Sequence, residues 1–248
     1  MKVITRTILL LSAVSLLTDI SSEMLYPIMP VYLQSIGFSA LLIGILEGFA
    51  EATAGLSKGY FGKLSDSYQR RLPFVQFGYT LSAFSKLMLG LYAATGWVFA
   101  ARTVDRLGKG IRTSARDALL SSETTPEHKG KVFGFHRSAD TIGAALGPIL
   151  AIIYLYYYPA QYSTLFIIAF VPGVLGAFVT LLIKEKNVPT THTVKSSTSF
   201  FSFLLYWKDS PSDFRALAFG LIFFAIINSS DLFILLMIKY RGASDLRV

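Results

Sequence analysis

The sequence predicts an all-α integral membrane protein, a bundle of six transmembrane helices followed by one additional transmembrane helix. Three observations carry this. Hydrophobic residues make up 53% of the 248 positions and charged residues only 15%, too apolar a balance for an ordinary soluble domain. Seven stretches approach the ~20 apolar residues that a helix rising about 1.5 Å per residue needs to cross a hydrocarbon layer. Lys and Arg, finally, gather on alternate connections.

Taken in order, the first span runs from Thr7 to Gln34. Met1 to Arg6 followed by an apolar run resembles a signal peptide, but the run outlasts a signal core and no small-residue cleavage pattern follows, so it reads as a helix that stays. The second span runs from Leu41 to Phe61, the third from Phe74 to Ala94, and the fourth, polar for its position, from Trp97 to about Ile111. The fifth covers Val132 to Tyr156, the sixth Thr164 to Ile183 and the seventh Phe214 to Ile238. The expected domains are therefore a six-helix bundle over 1–186, a cytoplasmic linker over 187–213, and a seventh helix with a short tail over 214–248 that opens an incomplete second bundle.

Loop charge sets the orientation. With the N-terminus inside, sixteen basic residues fall on the inner side, among them Lys58, Lys63, Arg70, Arg71, Lys129 and Lys131. The outer turns near Ser35 to Ala40, Ala94 to Gly96 and Tyr158 to Ser163 carry none. The expectation is a multi-pass protein of the plasma membrane with a cytoplasmic N-terminus. Lys239, Arg241 and Arg247 would lie outside, against that rule. The net charge of +8 thus follows membrane topology and does not imply nucleic acid. With no cysteine and three scattered histidines (His128, His136, His192), no disulfide, metal cluster or cofactor is implied.

The connection from Lys184 to Asp213 holds a Ser/Thr-rich tract, Thr190 to Ser199, and an apolar cluster, Phe200 to Trp207. It reads either as a linker with a short interfacial helix or as a partly ordered loop. An internal echo pairs Ser21, Ser22, Glu23 and Tyr32 with Ser229, Ser230, Asp231 and Tyr240 at one constant offset, the pattern of parallel repeats in transporters.

Charged groups at bilayer depth are costly unless paired or wetted, which makes them functional candidates. On the first helix Asp19, Ser22, Glu23, Tyr26 and Pro30 share a face. On the second, Gly44, Glu47, Gly48, Glu51, Gly55, Lys58 and Gly62 do the same, their glycines allowing another backbone to approach. The fourth carries Arg102, Asp105, Arg106, Lys109, Arg112 and Arg116, and the fifth His136, Asp140, Gly143 and Gly147, with Arg137 alongside. Asp19, Glu51, Arg106 and Asp140 all lie on the order of 14 to 18 Å from a helix end. As a set they fit a proton-coupled cavity better than pure structure, although any single one fits equally a pair, such as Glu51 with Arg106, that only holds helices together. Lys86 has no stripe of polar companions and reads as snorkelling or locally paired.

Gly62-Lys63-Leu64-Ser65-Asp66 followed by Arg70-Arg71 resembles the loop signature of the major facilitator superfamily. Gly143 through Gly147-Pro148 is similar to its helix-packing signature, and Arg102 to Arg112, continuing through Arg116-Asp117 to Gly134-Phe135-His136-Arg137, looks like a subgroup of bacterial and archaeal members. The resemblance implies a major-facilitator-type six-helix bundle plus one additional transmembrane helix. It also implies a cytoplasmic gate at Gly62, Asp66, Arg70 and Arg71, and helix packing at Gly143, Gly147 and Pro148.

The expected function is secondary active transport of a small solute, coupled to protons, by alternating access. Its proton and substrate cavity would be formed by Asp19, Glu23, Glu47, Glu51, Arg102, Asp105, Arg106, Arg137 and Asp140. The expected partners are the lipid bilayer, the solute and protons, with a second chain or a homodimer supplying the missing half, and no nucleic acid. The alternatives are a non-transporting truncated fragment or assembly subunit, and a membrane enzyme built on acids such as Glu47 and Glu51; an enzyme is not expected, because intramembrane acids more commonly mark ion pathways or pairs. Tyr26, Tyr32, Tyr79 and Tyr92 are candidates either to line the site or to sit at the membrane interface.

Overall fold

The structure, a computed structural model, describes residues 3–185, 206–228 and 231–241. The Thr190 to Ser199 tract, most of the Phe200 to Trp207 cluster, and Ser229 and Ser230 of the echo lie outside the described residues.

The first predicted span is two helices, α1 (Arg6–Glu23) and α2 (Met29–Ser35). Thr5 caps α1 by accepting from the Ile8 amide at 3.3 Å. Pro27 ends it: a proline has no N–H to offer the carbonyl four residues back, which is that of Glu23, and its ring crowds that oxygen. Pro30 falls in the first turn of α2, where a missing N–H costs nothing. Next come α3 (Ala40–Tyr68), closed by Gln69 in the left-handed region at φ 53°, then α4 (Leu72–Leu91) and α5 (Thr95–Ser122). After a 3-10 turn at Pro126–His128 follow α6 (Lys129–Tyr157) and α7 (Tyr162–Thr180). Beyond the undescribed connection lie a single turn, α8 (Tyr206–Asp209), then α9 (Ser212–Ile227) and α10 (Asp231–Tyr240), so the seventh span is also interrupted.

Two sequence expectations need correction. The fourth span does not end near Ile111 but runs about three further turns to Ser122, where Arg112 and Arg116 meet the hydroxyls of Ser82 on α4 and Ser15 on α1. The glycine face of α3 does not admit a backbone at Gly48 or Gly55, where an added Cβ would meet nothing within 4 Å. The close approach comes from the other side: a Cβ on Gly110 of α5 would lie 2.8 Å from the Ala54 carbonyl oxygen and 2.6 Å from the Ser57 Cβ.

Helix α1 packs on α6 and α7, α4 packs on α5 and α7, and α3 packs on α5. The bundle's neighbours therefore run α3, α5, α4, α7, α1, α6. One apolar cluster holds one end, with Met29, Leu33, Leu46, Leu89 and Phe166. A second holds the opposite end, with Ile8, Leu11, Val75, Leu119 and Val132. Along the helices the charged positions fall between these two clusters. The outward faces of α6 and α7 expose Ile142, Ile149, Ile153, Val171, Leu175 and Phe178, surface that lipid covers. Among the described residues, the stretches Ala40–Tyr68, Pro126–Tyr157 and Tyr162–Thr180 are long and apolar enough to cross a membrane by length and composition alone. Helix α5 fails that measure because of its charges. Helix α10 meets the bundle at α2, with the Phe233 ring 3.2 Å from where a Cβ on Gly44 would sit.

Candidate functional site

The charged residues of α5 project in three directions. Towards α3, Arg102 donates from Nε and Nη2 to one carboxylate oxygen of Glu47, at 3.0 and 2.5 Å, with both residues buried. One turn on, Arg106 reaches Glu51 at 3.2 Å and Glu47 at 3.8 Å. The glutamates expected to line a cavity instead pin α3 to α5, as one reading of Glu51 with Arg106 anticipated, and neither lines the cavities below. A buried pair repays desolvation only through close geometry, which Arg102 and Glu47 have.

Towards α4, Asp105 receives the ammonium of Lys86 and, at 3.2 Å, the Ser85 hydroxyl. Lys86 is 2% exposed, so it does not snorkel. It also has the stripe of companions that the sequence reading missed: Tyr79, Ser82, Ser85 and Lys86 recur at steps of one or three on α4, and all are buried. Arg112 lies over the Tyr79 ring, its guanidinium carbon 4.6 Å from the centroid, and donates to the Ser82 hydroxyl. The helices touch closely here, since Gly78 and Gly108 face each other's backbone. The signal for these α4 residues was the polar spacing around a lysine in an otherwise apolar span.

Towards α1 and α6, Arg116 pairs with Asp117 at 2.9 Å and donates to Ser15 at 3.3 Å. His136, buried, lies 3.3 Å through Nδ1 from the Ser12 hydroxyl and 3.7 Å through Nε2 from Asp140. Arg137, largely exposed, approaches Asp140 at 3.6 Å. Gly143 and Gly147 face α1. A Cβ on Gly143 would lie 2.6 Å from the Leu16 carbonyl oxygen, and one on Gly147 would lie 2.8 Å from the Met24 nitrogen. These contacts set α6 against the α1 segment that carries Asp19 and Glu23. Pro148 sits half-buried beside them, within α6.

Two adjoining cavities open between these helices. The inner one, about 560 Å³ including its mouth, is lined by Asp19, Glu23, Tyr26, Lys86, Asp105 and Arg106, among others. The outer one, about 900 Å³ including its mouth, is lined by Asp19, Glu23, Arg116, Arg137 and Asp140, among others. Asp19 and Glu23, both half-buried, face both cavities and form no ion pair within 4 Å among the described residues. Lys109 and Arg112 also line both. Of the four tyrosines singled out, Tyr26 lines the inner cavity, Tyr79 supports Arg112, Tyr32 is buried edge-on against Phe166, and Tyr92 is exposed.

The residues of the expected gate run from the last turns of α3, which hold Gly62 and Asp66, into the α3–α4 turn with Arg70 and Arg71. Asp66 pairs with Arg71 at 3.5 Å, Arg70 is exposed, and a Cβ on Gly62 would press Ser114 at 3.0 Å. Glu185 belongs to no motif or spacing that marks it in the sequence. Its carboxylate accepts from the Arg71 amide at 2.9 and 3.1 Å and from the Leu72 amide at 3.0 Å. It ties the start of α4 to the segment after α7.

Comparison with known proteins places this architecture. The chain is 33% identical over 235 residues to an uncharacterized MFS-type transporter of Methanocaldococcus jannaschii, covering 94% of this chain and 56% of that protein. It is 31% identical over 186 residues to an uncharacterized protein of Mycobacterium tuberculosis, covering 74% and 45%. The chain thus spans about half the length of these curated relatives. Its fold matches a bacterial homolog of the human lysosomal transporter Spinster with a TM-score of 0.72 at 15% identity, over 97% of this chain and 56% of that one. The Major Facilitator Superfamily model matches residues 11–246. On that match and the helical membrane architecture, the chain belongs to the major facilitator superfamily.

Proposed function

We propose that the chain is a bundle of a secondary active transporter for a small solute, coupled to protons and working by alternating access. The observation that carries this reading is the pair of cavities whose α1 acids, Asp19 and Glu23, have no ion-pair partner among the described residues. A carboxylate inside a membrane protein that is neither paired nor hydrogen-bonded is free to exchange a proton with whichever side the cavity faces. Asp105, Glu47 and Glu51, held by Lys86, Arg102 and Arg106, keep the wall of the cavity in place. Arg137 and Asp140 form its rim on α6. The end of α3 with Gly62 and Asp66, and the turn after it with Arg70 and Arg71, act as the cytoplasmic gate, with the N-terminus also cytoplasmic and the bilayer that of the plasma membrane. Alternating access has a facing bundle rock against this one around the cavity.

The test is uptake into proteoliposomes of the purified chain under an imposed pH gradient. A panel of radiolabelled small organic acids and amines serves as probes, beside a variant with Asp19→Asn and Glu23→Gln. Gradient-driven uptake that the double variant loses, while it still elutes as the wild type does on gel filtration, is the expected result. Uptake that follows the gradient equally in both proteins would remove the coupling role from α1.

A further inference from the structure

Together the two cavities are lined by seven basic side chains and four acidic ones. Most of that charge is answered locally. Arg102 and Arg106 are met by Glu47 and Glu51, Arg116 by Asp117, Lys86 by Asp105, and Arg137 by Asp140. Two cations and two acids remain: Lys109 and Arg112 on α5, and Asp19 and Glu23 on α1. Among the described residues none of these four has an opposite charge within 4 Å, although all four share both cavities.

The four are not equivalent. Arg112 is 7% exposed, and among the described residues its guanidinium is held only by neutral groups, the Ser82 hydroxyl and the Tyr79 ring. A guanidinium cannot lose its proton in a protein, so burial leaves it a permanent charge in search of a counter-ion. Asp19 and Glu23 are only half-buried and can shed their charge by binding a proton. The unmet demand is therefore for a negative group. Ser82 and Tyr79 hold the guanidinium fork in position in advance, which suits two-pronged capture of an oxyanion. Lys109 stands one turn away on the same face of α5 and adds a second, mobile positive charge. Arg106, which also lines the inner cavity, has a buried Nε with no hydrogen-bond partner.

We infer that Arg112 and Lys109 form the binding subsite for an oxyanion group, a carboxylate or phosphate, carried by a soluble organic acid. This rests on the transport reading and names its substrate class. Protons on Asp19 and Glu23 complete the site, because they remove the negative charges that would repel such a solute. The other charged groups facing these acids are Lys86 of α4, Arg102, Asp105, Arg106 and Arg116 of α5, and Arg137 and Asp140 of α6. Glu47 and Glu51 of α3 are engaged with arginines, and α7 has no charged side chain.

The experiment is thermal unfolding of the purified full chain in uncharged detergent at fixed ionic strength, titrated with succinate, inorganic phosphate or tetramethylammonium. Succinate or phosphate should raise the midpoint saturably, and more strongly at pH 5.5 than at pH 8, while tetramethylammonium does not. Arg112→Gln should weaken the apparent affinity about tenfold or more. Arg112→Lys, which keeps the charge and loses the fork, should fall between, and it serves if the glutamine variant does not fold. Lys129→Gln, at the exposed start of α6, should bind as the wild type does. Saturable stabilisation that survives in both Arg112 variants would overturn the assignment. So would an Arg112-dependent shift produced only by phosphatidylglycerol added to the detergent, which would make the ligand a lipid headgroup. In the uptake assay, gradient-driven uptake of amines and not acids would leave proton-coupled transport standing and refute this subsite alone.

Discussion

Replacing Gly108 by alanine tests how closely α4 and α5 are pressed together. The added Cβ would lie 2.7 Å from the Gly78 carbonyl oxygen, 2.8 Å from the Ser82 hydroxyl and 2.9 Å from the Ser82 nitrogen. Two of these three atoms are backbone, so no rotamer change relieves the clash and the helices must part. Overpacking a tight contact costs roughly 1 to 3 kcal/mol, and with backbone on both sides the upper end applies, about 3 kcal/mol. Alanine returns about 1 kcal/mol through its better helix propensity, leaving about 2 kcal/mol of net destabilisation. For a chain of this size that lowers the midpoint by roughly 4 to 8 °C. The matched control is Gly134→Ala in α6, where a Cβ would meet nothing within 4 Å; only the propensity gain remains, and the midpoint should rise by about 2 to 4 °C. Thermal unfolding of the three proteins in one detergent, followed by circular dichroism, gives both numbers. If the two alanine variants shift in the same direction by similar amounts, the close approach of α4 and α5 is refuted.

Removing one side of a buried pair should cost more. Glu47→Ala strands the buried Arg102 without its carboxylate and should destabilise by about 3 to 5 kcal/mol, whereas replacing both by leucine and methionine should recover most of that in the same unfolding assay. Glu185→Ala deletes the acceptor for the first amides of α4 and should cost about 1 kcal/mol, with faster amide exchange of Leu72 read by hydrogen–deuterium mass spectrometry. Gly147→Leu drives a side chain into the backbone at Met24 and should destabilise by at least about 3 kcal/mol, lowering the yield of monodisperse protein on gel filtration.

Much of the architecture is legible in the sequence because bilayer depth imposes a simple length and hydropathy rule on each span. Helical regions fall where apolar runs predict them, and the small residues Gly143 and Gly147 lie against α1. What periodicity could not supply is the identity of each partner. Glu47 and Arg102 are 55 residues apart, and Lys86 and Asp105 are 19 apart; a stripe tells which side of a helix is polar, not which neighbour will face it. For that reason Glu47 and Glu51 looked like cavity acids although their carboxylates are spent on arginines. The interruption of the first span was written in Pro27 and Pro30, but the apolar run on either side of them masked it. Glu185 carried no signal because capping at a distance depends on where two loops meet. Lys109 and Arg112 belonged to a recognised basic face, and only the pairing of every other cation in that face set them apart.

The charge load of α5 also bears on how the chain enters the membrane. Arg102, Asp105, Arg106 and Lys109 occupy the middle of this helix, and ionised residues at such depth each cost roughly 2.5 to 3.5 kcal/mol on insertion scales. A lone α5 would thus face about 10 kcal/mol or more of opposition and would not partition into lipid as an independent unit. Its counter-charges, Glu47 and Glu51 on α3 and Lys86 on α4, come earlier in the chain and are synthesised first. Insertion of α5 is then a docking event onto helices already waiting at the translocon, and neutralising Glu47, Glu51 and Lys86 together should leave α5 accessible to aqueous labelling during biogenesis.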